Sequence, residues 1–158
     1  MSVFERLHAR RVFPRRVRVL ARHLAPLIPP AARVLDLGAG SGDLAQALCD
    51  RRPDLEIRGL DVSVRSGAAI PVDVYDGRSI PHADDAFDTV LLVDVLHHAA
   101  EPLAVLREAA RVARGAVLIK DHVREGWLAA PILTLMDRVG NARFDVPVTH
   151  VVVDLESA

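Results

Sequence analysis

Val34-Leu35-Asp36-Leu37-Gly38-Ala39-Gly40-Ser41-Gly42-Asp43-Leu44 decides the reading of this chain. An apolar run carrying one acid leads into three alternating glycines. Leu44-Ala45-Gln46-Ala47-Leu48 then follows with helix-forming residues. The order is strand, glycine loop, helix start. Glycine suits a backbone that must take positive φ or come close to a ligand. A helix N-terminus behind such a loop offers free N–H groups and a positive dipole end. Together they make a site for a nucleotide-like ligand.

Glycine spacing separates two kinds of ligand. A dinucleotide loop reads G-x-G-x-x-G/A, its third small residue packing helix onto strand. Here Gly38-Ala39-Gly40-Ser41-Gly42 gives G-x-G-x-G, and Asp43 stands where that small residue belongs. An acid there sits badly beside a pyrophosphate. Asp36, ahead of the first glycine, suits an ammonium group instead. These features favour a nucleoside bearing an amino acid over a diphosphate, and they argue against a nicotinamide oxidoreductase.

Three later segments extend the pattern: Ile57-Arg58-Gly59-Leu60-Asp61-Val62-Ser63, Asp76-Gly77-Arg78-Ser79-Ile80-Pro81, and Ala86-Phe87-Asp88-Thr89-Val90-Leu91-Leu92-Val93-Asp94-Val95-Leu96-His97-His98. In order and spacing, the four segments resemble the motifs of class I S-adenosylmethionine-dependent methyltransferases, in particular the type 11 group. The resemblance covers roughly residues 30 to 145. It implies a Rossmann-like, doubly wound α/β fold with a mostly parallel sheet and helices on both faces. It also implies S-adenosyl-L-methionine as cofactor and a small-molecule methyl acceptor.

Residue by residue, the resemblance gives Asp36 the methionine amino group. It gives Gly38, Ala39 and Gly40 a close backbone approach to the methionine and ribose portions. Asp61 would accept from both ribose hydroxyls, with Val62 beside it. Asp76 would accept from the adenine amino group while the Gly77 N–H donates to the ring. Val93 and Asp94 would line the methionine end. His97 and His98 are the candidate bases, because imidazole exchanges protons near neutral pH. No strict catalytic triad is expected, since methyl transfer from a sulfonium mainly needs alignment and exclusion of water. No metal site is expected, as adjacent histidines diverge and no third His or Cys has ligand spacing.

Periodicity and breakers place the elements. Residues 3–28 read as one or two helices carrying Val12, Val17, Leu20, Leu24, Leu27 and Ile28, interrupted at Pro14 and ended by Pro26, Pro29 and Pro30. Strands are expected near 33–37, 56–60, 69–74, 89–93 and 116–120. Helices are expected near 43–51 and 102–113, the latter turning Leu103, Leu106, Ala109, Ala110 and Ala113 toward the sheet. A further helix is expected over Trp127 to Val139, stopped by Gly140-Asn141, before a β-branched tail. One domain spans 1–158, as a helical cap (1–30), a cofactor-binding core (31–122) and a C-terminal segment (123–158). The resemblance leads one to expect another helix and two antiparallel strands after the fifth strand. The tail is too short for all of these, so the C-terminus reads as shortened and the fifth strand as a poorly covered edge.

Composition narrows the function classes. With 158 residues, 51% of them hydrophobic and only 4% aromatic, the chain can bury one aliphatic core. No apolar run reaches the ~18 residues of a membrane span, and no leader-like run follows Met1. The single Cys49 excludes an internal disulfide and fits a reducing cytoplasm. Net charge is −1, yet residues 1–33 hold eight arginines against Glu5 alone. That surplus could touch nucleic acid or anionic lipid, but no aromatics interleave with it as single-strand binding wants. No Asn-Pro-Pro-Tyr signature follows the fourth strand, which disfavours base methylation. One alternative to a small-molecule methyltransferase remains at this level: a non-catalytic cofactor-binding or partner protein, working within a homodimer that completes the sheet between copies.

Overall fold

A computed structural model describes residues 15–63 and 66–121. The expectations for the helical start before residue 15, for the helix over Trp127 to Val139 and for the tail lie outside the described residues.

Five parallel strands form one sheet: β1 (Arg33–Leu37), β2 (Glu56–Asp61), β3 (Val72–Val74), β4 (Phe87–Val93) and β5 (Ala113–Lys120), in the order β3-β2-β1-β4-β5. The direction of winding reverses between β1 and β4, and crevices for ligands open at such reversals. Helix α1 (residues 15–24) precedes a 3₁₀ turn at Ala25–Leu27, α2 (Asp43–Arg51) links β1 to β2, and α3 (Pro102–Val112) runs directly into β5.

Both faces of the sheet are packed. Val34 and Leu91 point to one face and meet Ala21, Leu24, Ala25 and Ile28 of the N-terminal segment and Ala45 and Leu48 of α2. Leu35, Leu37, Val90 and Leu92 point to the other and meet Val105, Leu106, Ala109 and Val112 of α3. The alternation is the period of two that an extended strand imposes. A register shift between Phe87 and Thr89 restores it after Phe87, which packs on the α3 face. The doubly wound α/β architecture expected from the sequence is therefore present.

Several boundaries differ from expectation for physical reasons. β3 starts at Val72, not 69, because the Ala69 N–H donates to Ser41 O of the glycine loop, and Pro71 has no N–H to extend the ladder. β5 starts at Ala113, which pairs with Phe87. The buried stripe of α3 is Val105, Leu106, Ala109 and Val112; Leu103 and Ala110 are only half-buried and Ala113 is already strand. Leu27 is exposed. Among the described residues β5 is an edge strand, half-buried from Ala116 to Lys120. No helix among the described residues is long and apolar enough to cross a membrane.

Arg52, just past α2, fastens the N-terminal segment. Its guanidinium donates to Ala25 O (2.8 Å), Ile28 O (3.1 Å) and Pro29 O (3.1 Å). Carbonyls that a finished helix leaves without partners are thereby satisfied.

Candidate functional site

The glycine loop turns sharply between β1 and α2. Gly38, Gly40 and Gly42 all have positive φ. At Gly38 a Cβ would lie 2.4 Å from Val95 Cγ2, and at Gly42 one would lie 2.7 Å from Ile70 Cγ1. Neither position can take a side chain without displacing its neighbour. The loop's own N–H groups are largely spent on β2: Gly38 and Ala39 donate to Leu60 O (2.7 and 3.3 Å), and Gly40 donates to Asp61 Oδ2 (2.7 Å). Closeness of backbone, rather than a row of loop donors, is what Gly38 and Ala39 offer a ligand.

Asp36 is the most unusual residue of the site. It sits in β1 in register with Gly59 of β2 and Leu91 of β4, only 3% exposed. No donor among the described residues bonds its carboxyl group. Burial, and then the nearby Asp61 carboxylate, push its pKa up to about 7. A buried, unpartnered carboxyl group at the end of a strand calls for a cation, which would restore its charge.

Asp61 ends β2 opposite the loop. Its Oδ2 accepts from Gly40 and its Oδ1 from Ser63 N (3.2 Å). Each carboxylate oxygen has two acceptor positions, so both oxygens retain capacity for a pair of adjacent hydroxyls. Val62 beside it is 61% exposed. The next turn brings Gly77 against it, where a Cβ would stand 3.1 Å from Val62 Cγ1. Asp76 Oδ1 accepts from Arg78 N and Ser79 N, both at 2.8 Å. Those two bonds, Ser79's first, hold its pKa below the usual carboxylate range, and Oδ2 remains available as an acceptor. Asp61, Val62, Asp76 and Gly77 thus share one edge of the crevice.

The turn carrying Asp76 is clamped from α3. Glu108 accepts from Ile80 N (2.9 Å), while Arg111 donates to Ile80 O (2.9 Å), His82 O (2.8 Å), Glu108 and Asp84. Sequence reading missed this clamp. The Glu108–Arg111 spacing of three on a helix was its one legible signal.

At the other edge, Val93 is half-buried, and Asp94 follows β4 with φ +58°. The Asp94 carboxylate is shared between Lys120 Nζ of β5 (2.6 Å) and Arg16 of α1. This three-element ion pair was also missed, because nothing in the sequence brings residues 16, 94 and 120 together. His97 and His98 lie in a 3₁₀ turn, their rings 3.9 Å apart, and His97 Nδ1 is 2.5 Å from Asp121 Oδ1. Among the described residues no group of three or more His, Cys, Asp or Glu side chains is placed to hold a metal ion.

Asp36, the glycine loop, Asp61 and the Asp76-Gly77 turn fit an adenosyl amino acid. The buried acid matches its ammonium, the paired acceptor oxygens of Asp61 its diol, and the Asp76-Gly77 edge an aminopurine.

Comparisons with known proteins give the family and the fold. Residues 6–153 match the protein family described as a methyltransferase domain. Methyltransferase GfsG of Streptomyces halstedii is 33% identical over 111 residues, which cover 61% of this chain and 40% of that protein. The 27-O-demethylrifamycin SV methyltransferase of Amycolatopsis mediterranei (strain S699) is 31% identical over 110 residues, covering 60% of this chain and 40% of that protein. The match thus spans 40% of the length of each of these curated relatives. Among solved structures, the PH0226 protein from Pyrococcus horikoshii OT3 superposes with a TM-score of 0.64 at 23% identity. It covers 84% of this chain and 62% of that chain, a likeness of fold.

Proposed function

The chain belongs to the methyltransferase-domain family, whose cofactor is S-adenosyl-L-methionine, and on that premise we propose that it moves a methyl group from this cofactor to a small-molecule acceptor. The observation that carries the reading is Asp36: a buried carboxyl group without a donor among the described residues, beside the glycine loop and Asp61, at the point where the sheet changes direction. The name of the rifamycin relative supports an acceptor of small-molecule class.

When bound, the cofactor supplies a methyl group on sulfur that is already activated for displacement. The chain's residues then bind and orient. Asp36 holds the ammonium. Gly38, Ala39 and Gly40 let the backbone lie close. Asp61 accepts from the ribose hydroxyls and Val62 presents an apolar surface next to it. Asp76 and Gly77 meet the adenine edge. Val93 and the left-handed bend at Asp94 line the methionine end through backbone and apolar atoms, since the Asp94 carboxylate is engaged by Lys120 and Arg16. His97 and His98 face the acceptor as candidate bases. Residues 1–158 act as one domain with its binding core in 31–122.

Calorimetry of the full 158-residue chain with S-adenosylhomocysteine tests this, with Asp61→Ala in parallel and reduced nicotinamide dinucleotide as comparator. Binding of S-adenosylhomocysteine that the variant loses is expected. Binding of the nicotinamide compound alone would overturn the reading.

A further inference from the structure

Three consecutive N–H groups follow the Asp76-Gly77 turn, and a carboxylate takes each of them. Arg78 N and Ser79 N donate to Asp76 Oδ1, and Ile80 N donates to Glu108 Oε2 (2.9 Å). Arg111 in turn grips Glu108: its Nε donates to Oε1 and its Nη2 to Oε2, both at 2.8 Å. The same Nη2 donates to Ile80 O (2.9 Å), while Nη1 donates to His82 O (2.8 Å) and Asp84 Oδ1 (2.9 Å). Every N–H donor of the guanidinium is thereby used. Ile80 is fixed at both its N–H and its carbonyl, and its side chain is buried in one cluster with Val105, Leu106 and Ala109 of α3.

At the other end of the turn, Tyr75 N donates to Asp61 O (3.0 Å). Only residues 76–79 span the two anchors, and Asp76, Arg78 and Ser79 are exposed. An exposed turn has few contacts of its own to fix its shape, so a binding group on it depends on the neighbours that hold it. The direction of Asp76 Oδ2 follows from the bonds made to Oδ1. Those bonds follow from the peptide planes that lead into Ile80. We propose that Glu108 and Arg111 are positioning residues, which fix the Asp76-Gly77 turn as the reader of the purine edge and so set the preference of the site for a 6-amino over a 6-oxo purine. The inference rests on the cofactor reading above and deepens it.

Adenine offers an amino donor at position 6 and an acceptor at the neighbouring ring nitrogen. Asp76 Oδ2 and the Gly77 N–H are the matching acceptor and donor. Hypoxanthine, the 6-oxo counterpart, offers an acceptor at position 6 and a donor at that ring nitrogen, so both contacts become mismatched. A rigid turn suffers the mismatch in full, because each polar group covered by the ligand loses water and gains no bond. A turn free to move would swing the carboxylate and the Gly77 peptide aside and lose the distinction.

Calorimetry of the full chain with S-adenosylhomocysteine and with S-inosylhomocysteine, its 6-oxo analogue, reads the preference directly. The wild-type ratio of dissociation constants is expected to be about a hundredfold or more. Arg111→Lys keeps a cation beside Glu108 but cannot reach Ile80 O, His82 O and Asp84 together. Its ratio should fall to about tenfold or below through weaker binding of S-adenosylhomocysteine, with affinity for the 6-oxo analogue kept within about threefold. Glu108→Ala removes the acceptor of Ile80 N and should act the same way. A role in stability alone would weaken both ligands by one factor, so a wild-type ratio in either folded variant overturns the inference. If neither variant folds, amide hydrogen exchange of ligand-free wild type tests the clamp itself: Arg78, Ser79 and Ile80 should all be protected, and protection that arises only with ligand overturns the inference. Wild type that binds neither ligand counts instead against the function proposed above.

Discussion

Cofactor affinity in this chain should follow the charge on Asp36. In the free protein burial and the Asp61 carboxylate raise its pKa to about 7. A ligand ammonium placed on the carboxyl group favours the ionised form, so binding below that pKa must expel a proton. The apparent dissociation constant then grows by the factor 1 + 10^(pKa − pH). That makes S-adenosylhomocysteine bind about tenfold more weakly at pH 6 than at pH 8, or about 1.4 kcal/mol. Calorimetry in two buffers of different ionisation enthalpy measures both the affinity and the proton release, which should approach one per ligand near pH 6. Asp36→Asn removes the titration, so its weaker binding should be flat across this range. Equal wild-type affinity at both values with no proton released would refute the reasoning. The same residue makes a claim on stability. Its folded pKa lies above the unfolded value of about 3.9, so the folded chain holds the extra proton. Its own contribution to stability is therefore greatest below about pH 4 and declines as pH rises to 7, by at most about 4 kcal/mol. Asp36→Asn should therefore melt higher than wild type at pH 8 while binding the cofactor worse.

Other perturbations have equally definite outcomes. Asp61→Ala removes the acceptor of the Gly40 N–H and two charge-assisted bonds to a ligand diol, so binding of S-adenosylhomocysteine should fall by at least about a hundredfold in calorimetry. Asp61→Asn should lower the pKa of Asp36 and shift the midpoint of the pH dependence downward, because one of its two causes is gone. Gly38→Ala places a Cβ 2.4 Å from Val95 Cγ2 at φ +78° and should cost about 2–4 kcal/mol in urea unfolding. Gly67→Ala has φ +77° with nothing within 4 Å and should cost only the left-handed backbone term of about 1–2 kcal/mol. Arg111→Met leaves Ile80 O and His82 O without this donor and should destabilise by about 1–3 kcal/mol, read from the same unfolding curves.

Much of the framework could be read from local pattern. β1 and α2 fall where the apolar run, the glycines and the helix-forming residues placed them, because strand period, glycine freedom and helix propensity are local properties. β3 was misjudged at its start because a contact with Ser41 of the glycine loop, not the composition of residues 69–71, sets where it begins. The buried stripe of α3 was shifted because its face is chosen by how the helix lands on β4 and β5.

The site divides along the same line. Sequence by itself determined the residue types of the cofactor loop, the acids at the ends of β1 and β2, and their order along the chain. A strand-end acid and a glycine loop are adjacent in sequence and must be adjacent in space. Only the tertiary structure decided that Asp36 is buried without a donor among the described residues, since that depends on how the strands beside it and the segments packed on the sheet enclose it. The same holds for Asp94, held between Arg16 and Lys120, and for Asp121 on the ring of His97. Those partners lie 78, 26 and 24 residues apart in the chain. The parallel sheet brings the C-terminal ends of its strands to one edge, and no local pattern in the sequence records which side chains meet there.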